Sequence, residues 1–148
     1  MVAQQVFKTT DPAPHEACPV QIEISIGEMV DRLTIMELRI AHAGAARVGP
    51  ALLAHHRVLS QACDRALAAC PEAALLKPPL KRVNTRLWAY EDKIRAHEAR
   101  GDFGPAFVRL ARQIYLNNDL RARLKNQINA FTCSPMDEKK LYTTGGPS

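Results

Sequence analysis

The sequence predicts an all-α fold, an antiparallel four-helix bundle or a close variant of one. Four segments place apolar residues at helical spacing, and glycine or proline bounds each segment. The connections between them are short, which favours antiparallel packing of neighbouring helices. Aromatic residues make up only 5% of the chain, whereas sheet-rich folds gather aromatic and β-branched residues.

The first helix is predicted to follow a short N-terminal strand. Residues 20–24 alternate apolar and polar side chains, as a short strand does. Ser25 and Glu28 then form a capping-box pattern, in which each side chain accepts a bond from the other residue's backbone amide. Helix one is expected to run from there to about His42. Residues 1–20 carry three prolines and are predicted to be a flexible arm.

Glycine and proline also delimit helices two and three. Helix two is predicted over about residues 50–69, with Leu53 among the side chains available for burial. Pro71 stops it because proline cannot continue a helix interior. A pair of prolines marks the start of helix three, which is predicted over about residues 79–100, with Gly101 as its C-cap.

Helix four places polar side chains on a face that should be apolar. It is predicted to begin at a cap formed by Asp102 or Gly104 and to end near Ala130. Five apolar residues at helical spacing define its buried face: Phe107, Leu110, Ile114, Leu124 and Ile128. Four polar residues continue the same face: Asn117, Asn118, Arg121 and Lys125. Because charged side chains are rarely buried without partners, this helix carries either an ion-pair network or a pocket for a negative group.

Length and composition indicate a single cytoplasmic domain. The 148 residues divide into the arm at 1–20, a helical domain at 21–131 and a polar tail at 132–148. No apolar run approaches the length that a bilayer requires, and the first residues have no signal-peptide character. We therefore expect a cytoplasmic protein without a membrane span.

The positive charge is concentrated in the second half of the chain. Residues 77–129 hold twelve Lys and Arg against five Asp and Glu. A basic surface can meet phosphate-bearing partners such as nucleic acid. Because the basic residues here alternate with acidic ones, we favour a solvated helix surface and expect no nucleic-acid partner.

Several kinds of site are absent from the sequence. It contains no glycine-rich phosphate loop, no dinucleotide fingerprint and no Glu-x-x-His pair. The four cysteines form no CxxC pair. His55 and His56 are adjacent on a predicted helix, so they point in different directions. We expect neither a metal site nor a cofactor.

Polar residues on three predicted helices form the candidate site. The candidates for acid or base catalysis are Glu91 and Asp31. The candidates for ligand binding are Arg121, Lys125, Asn118, Arg95, Asn84 and Tyr115. Arginine suits carboxylate or phosphate groups because its planar fork matches two oxygens.

Two interpretations of this constellation are open. In one, Arg121 and Lys125 bind a small anionic ligand while Glu91 or Asp31 acts as an acid, a base or a hydroxyl acceptor. In the other, Arg121 pairs with Glu91 or Asp31, and Lys125 pairs with another carboxylate. Such a network fixes the register between helices. We favour the structural interpretation, since ion-pair networks bring charges together without catalysis.

Four segments of the chain carry a family resemblance. They read ISIGEMVDRLTIMELR at 24–39, VNTRLWAYEDKIR at 83–95, GDFGPAF at 101–107 and IYLNNDLR at 114–121. Together they resemble the motifs of a small bacterial family of unknown function, over about residues 20–142. Some relatives are labelled as associated with lipopolysaccharide or surface-polysaccharide synthesis.

These observations predict a small helical accessory or binding protein, and the resemblance implies a link to surface-polysaccharide assembly. Such a protein should present an exposed apolar patch, for example on helix two, to a partner protein or to a second copy of itself. The alternative is a small enzyme that acts on an anionic substrate in a polar pocket between helices. That alternative requires a concave pocket around Arg121.

Overall fold

The computed structural model describes residues 22–44 and 47–134. This part of the chain is all-helical, as predicted. Its helices are α1 (Ile26–Ala43), α2 (Pro50–Ala68), α3 (Pro71–Ala74), α4 (Lys77–Ala99) and α5 (Pro105–Phe131). Residues 22–24 form neither helix nor strand. The arm at 1–20, residue 21 of the expected strand and domain, and the tail after residue 134 lie outside the described residues.

Prolines account for the two departures from the predicted helices. Pro71 ends α2 but also opens the short helix α3, which the sequence analysis missed. Pro78 and Pro79 lie inside the first turn of α4, so this helix begins two residues earlier than predicted, at Lys77. Proline is tolerated in a first turn because its missing amide hydrogen would have no helical acceptor there.

Helix α1 lies at the centre of the packing. It contacts α2, α4 and α5, while α4 packs along α5 and α3 bridges α2 and α5. The core draws on all five helices: Val30, Leu33, Met36, Leu59, Cys63, Leu67, Ala73, Leu80, Val83, Leu87, Leu124 and Ile128. Leu53, which was expected to be available for burial, is instead half-exposed on α2. The antiparallel four-helix arrangement stays a prediction.

The start of α1 is fixed against the end of α5. Ser25 accepts a hydrogen bond from the Glu28 amide at 3.1 Å, which confirms the predicted cap. The Gly27 amide donates to Asn129 Oδ1 at 2.7 Å, and the Ile26 amide donates to Ser134 Oγ at 3.4 Å. Three amides that a helix start leaves without helical acceptors are thereby satisfied.

One half of α4 and of α5 extends past the core. The buried residues of α4 lie between Leu80 and Leu87, and those of α5 lie between Asn117 and Asn129. Every residue from 88 to 116 is at least partly exposed. We call residues 88–116 the distal segment. Within this segment Trp88 stacks on His42 of α1, and Ile114 packs against the core.

Burial of Cys63 in the core raises the pKa of its thiol to about 11. At about pH 8 only about one molecule in a thousand then carries the reactive thiolate. We expect Cys63 to resist iodoacetamide in the folded protein, whereas the exposed Cys133 reacts readily. Peptide mapping by mass spectrometry measures both rates. Modification of Cys63 as fast as Cys133 in folded protein would contradict this prediction.

Candidate functional site

A buried ion pair joins α1 to α5. The Asp31 side chain is only 1% exposed, and that of Arg121 is 28% exposed. Arg121 Nε donates to the two carboxylate oxygens of Asp31 at 2.9 and 3.0 Å, and Nη2 donates to Oδ2 at 2.5 Å. This fork-to-fork geometry is the strong form of a charge-assisted hydrogen bond.

Helix α4 completes the cluster around Asp31. Asn84 Nδ2 donates to Asp31 Oδ1 and to Thr34 Oγ1, both at 2.8 Å. Thr34 Oγ1 in turn donates to the Asp31 backbone carbonyl at 2.8 Å. No buried side-chain nitrogen or oxygen lacks a partner in the described part of the chain. The cluster therefore holds three helices together with its polar groups satisfied.

A second ion pair lies one turn further along α5. Lys125 Nζ donates to Glu28 Oε2 at 2.7 Å, with the lysine almost buried and the glutamate half-exposed. The Glu28 carboxylate therefore meets Lys125, although the capping-box pattern predicted a bond to the Ser25 backbone. Along α1, Gly27 bonds to Asn129, Glu28 to Lys125 and Asp31 to Arg121. These contacts fix the register between the two helices.

The structure brings together some of the predicted site residues and separates others. Asp31, Asn84 and Arg121 touch, and of the two carboxylates considered for Arg121 it is Asp31 that meets it. Glu91 instead pairs with Arg95 at 3.3 Å on the exposed surface of α4. The other two candidates on α5 are Asn118, which is half-buried, and Tyr115, which is half-exposed, and the hydrogen bonds of this cluster include neither of them.

Two carboxylates outside the cluster have lowered pKa values. Burial alone would raise the pKa of Glu37, but the bond from Lys81 at 2.6 Å and the charge of Lys77 outweigh burial and lower the pKa. Near the turn between α4 and α5, the Gly104 amide and His97 bond to Asp102 and lower the pKa of that carboxyl. The ion pairs of Glu37 join α1 to α4. The hydrogen bonds of Asp102 fix the turn between α4 and α5.

A cavity of about 350 Å³ lies beside the buried ion pair, between α1, α2 and α5. Helix α1 supplies most of its wall, α2 supplies two residues, and α5 supplies one. Its lining residues are Glu28, Asp31, Arg32, Ile35, Met36, Arg39, Leu52, His55 and Arg121. It is the concave feature next to Arg121 that the enzyme interpretation requires.

Three cationic or titratable residues of this cavity were missed by the sequence analysis: Arg32, Arg39 and His55. A local signal existed on α1, because residues 28, 32, 35 and 39 are spaced by four, three and four and share one face. No pattern in the sequence around His55 predicts that it lies opposite this face of α1. Its position depends on how α2 packs on α1.

The charges around the cavity do not cancel. Asp31 is matched by Arg121 and Glu28 by Lys125. Arg32 and Arg39 form no salt bridge with any carboxylate in residues 22–44 or 47–134. Arg32 and Arg39 are exposed residues of α1, and their two positive charges border this space without a carboxylate partner from the described chain.

Two further observations concern metals and membranes. Among the described residues, no three His, Cys, Asp or Glu side chains are grouped so that they could hold a metal ion. None of the described helices is long and apolar enough to cross a bilayer.

The fold and its contacts define an all-helical protein in which a buried arginine–aspartate pair joins the first and last helices. The chain belongs to a family of unknown function, DUF6165, whose model matches residues 20–148. No curated protein and no solved structure matches the chain. The expected membership of a family of unknown function is confirmed. The bacterial source and the polysaccharide link stay predictions.

Proposed function

We propose that this protein is a small helical accessory protein that binds another protein chain through the outer face of α5. The observation that carries the proposal is a group of large apolar side chains on the distal segment. Val108, Tyr115 and Leu116 are 51%, 51% and 48% exposed. Their separations of seven and eight residues place them on one side of the helix. We call this surface, with Arg112, the α5 face.

The chemistry of the α5 face supports protein binding. Arg112 is exposed and lies one turn from both Val108 and Leu116. Tyrosine and arginine are the residue types that most often dominate the binding energy of protein interfaces. A matching partner would present apolar side chains together with a carboxylate opposite Arg112.

The state of the polar cluster also supports a binding role. The Asp31 carboxylate is occupied by Arg121 and Asn84, and Glu91 lies on the surface paired with Arg95. Asp31 lines the cavity but its oxygens are occupied, and Glu91 does not line the cavity. Neither carboxylate therefore offers a substrate a free oxygen in the cavity, as general acid–base catalysis requires. The enzyme alternative therefore has less support than the accessory role.

Two wider elements belong to the same proposal. The resemblance of the four motifs extends it to a cytoplasmic role in bacterial surface-polysaccharide assembly. The opposed order of the contacts along α1 and α5 supports the antiparallel four-helix arrangement.

Photo-crosslinking in cells of the source organism tests the α5 face. A benzophenone amino acid is placed at Leu116 in one variant and at Val58 of α2, which is more exposed than Leu116, in another. We expect a discrete cross-linked protein from position 116, which mass spectrometry identifies as a partner or a second copy. Adding Tyr115→Ala to that variant should reduce the yield roughly tenfold, because interface tyrosines are often hot spots.

The control at position 58 decides the location of the interface. We expect no discrete product from that variant. The same product at similar yield from both positions, or a yield from position 116 that Tyr115→Ala leaves unchanged, would contradict the proposal.

A further inference from the structure

We propose that the cavity between α1, α2 and α5 binds a small molecule that carries a phosphate monoester. Its volume of about 350 Å³ lies within the range of small-ligand pockets. The site is separate from the α5 face, because Val108, Tyr115 and Leu116 do not line it.

The charge around the cavity sets the charge of the ligand. With Asp31 matched by Arg121 and Glu28 by Lys125, Arg32 and Arg39 contribute two positive charges. A phosphate monoester carries close to two negative charges near neutral pH and offers three acceptor oxygens. A single carboxylate would balance only one of the two guanidinium groups.

The placement of α2 favours the same kind of ligand. Leu52, in the first turn of this 19-residue helix, and His55, in its second, both line the cavity. The N-cap residue Gly49 supplies no side-chain cap, and the first turn carries no acidic residue. The Leu52 amide donates to the Gly49 carbonyl, so α2 adds to the attraction of the two arginines for an anion through the positive end of its dipole.

The other residues that line the cavity can contact the part of the ligand that is esterified to the phosphate. Ile35, Met36 and Leu52 offer apolar contacts, and His55 offers a ring nitrogen for hydrogen bonding. The buried pair with Asp31 holds the Arg121 fork in one position at the inner wall. Arg32 and Arg39 thus recognise the phosphate, and the apolar residues contact the group esterified to it.

Isothermal titration calorimetry tests the site with inorganic phosphate and glycerol 3-phosphate, and with glycerol, which is uncharged, and acetate, which carries a single carboxylate, as controls. We expect saturable binding of the two phosphates and at least tenfold weaker binding of the controls, as roughly expected for losing charge-assisted bonds. The double variant Arg32→Gln/Arg39→Gln should raise the Kd for glycerol 3-phosphate about tenfold or more.

A matched control removes the same charge elsewhere. Arg82→Gln/Arg86→Gln changes two exposed arginines on α4 that do not line the cavity, and it should leave the Kd within about twofold. Circular dichroism checks that each variant is folded. Three results would overturn the proposal: no saturable binding of either phosphate, equal binding of acetate, or equal losses in the two double variants.

Discussion

Replacing Asp31 by alanine is expected to lower the free energy of unfolding by about 3 kcal/mol. The carboxylate is almost fully buried and accepts bonds from Arg121 and Asn84. Its loss leaves a largely buried guanidinium without the group that neutralises its charge, which is the costly way to break a buried pair. Denaturation in urea, followed by circular dichroism, measures the change.

Two controls separate this effect from a general loss of charge. Asp92→Ala breaks a pair with Arg95 in which both side chains are more than half-exposed, and it should lower the stability far less than Asp31→Ala does. The double variant Asp31→Leu/Arg121→Met replaces the buried pair by apolar groups and should regain most of the stability lost in Asp31→Ala. Equal stability of Asp31→Ala and Asp92→Ala would contradict the account of the cluster.

Gly27→Ala should destabilise the fold by about 3 kcal/mol, because α1 and α5 touch backbone to backbone at this position. A methyl group on Gly27 would overlap the Lys125 carbonyl and would lie 2.7 Å from Asn129 Oδ1. The clash also displaces the bond from the Gly27 amide to Asn129. The shift in the urea midpoint measures the loss.

Gly49→Ala provides the matched control for this substitution. Gly49 has a φ of −74°, and nothing lies within 4 Å of a methyl group added there. The change should cost less than about 1 kcal/mol, from the weaker capping preference of alanine. If Gly27→Ala unfolds at the same urea concentration as Gly49→Ala, the close approach of α1 and α5 is not maintained in solution.

The helix boundaries could be predicted because they depend on local chemistry. Ser25 caps α1 through a bond within its own turn, and the prolines at 50 and 105 fit first turns wherever they occur. The polar face of α5 was also visible, since Asn117 and Lys125 fall on the helical stripe whatever packs against it. The sequence does not predict the short helix α3, because Pro71 both prevents α2 from continuing and fits the first turn of α3.

The side-chain pairs between helices could not be predicted from the sequence, because they depend on how the helices pack. Glu91 and Asp31 were equal candidates for Arg121 by residue type, and only the packing of α1 on α5 selects Asp31. The cavity was missed for the same reason: His55 and Arg39 are sixteen residues apart in sequence and meet only once α2 folds back onto α1.

The central claim is that the buried pair serves stability while the α5 face serves binding. The most direct test is the affinity of the partner captured at position 116, titrated against Tyr115→Ala and against Asp31→Leu/Arg121→Met. The account predicts that Tyr115→Ala raises the Kd roughly tenfold or more, whereas the double variant leaves the Kd within about twofold. An unchanged Kd for Tyr115→Ala, with binding lost in a folded double variant, would contradict the claim and place the function in the buried cluster.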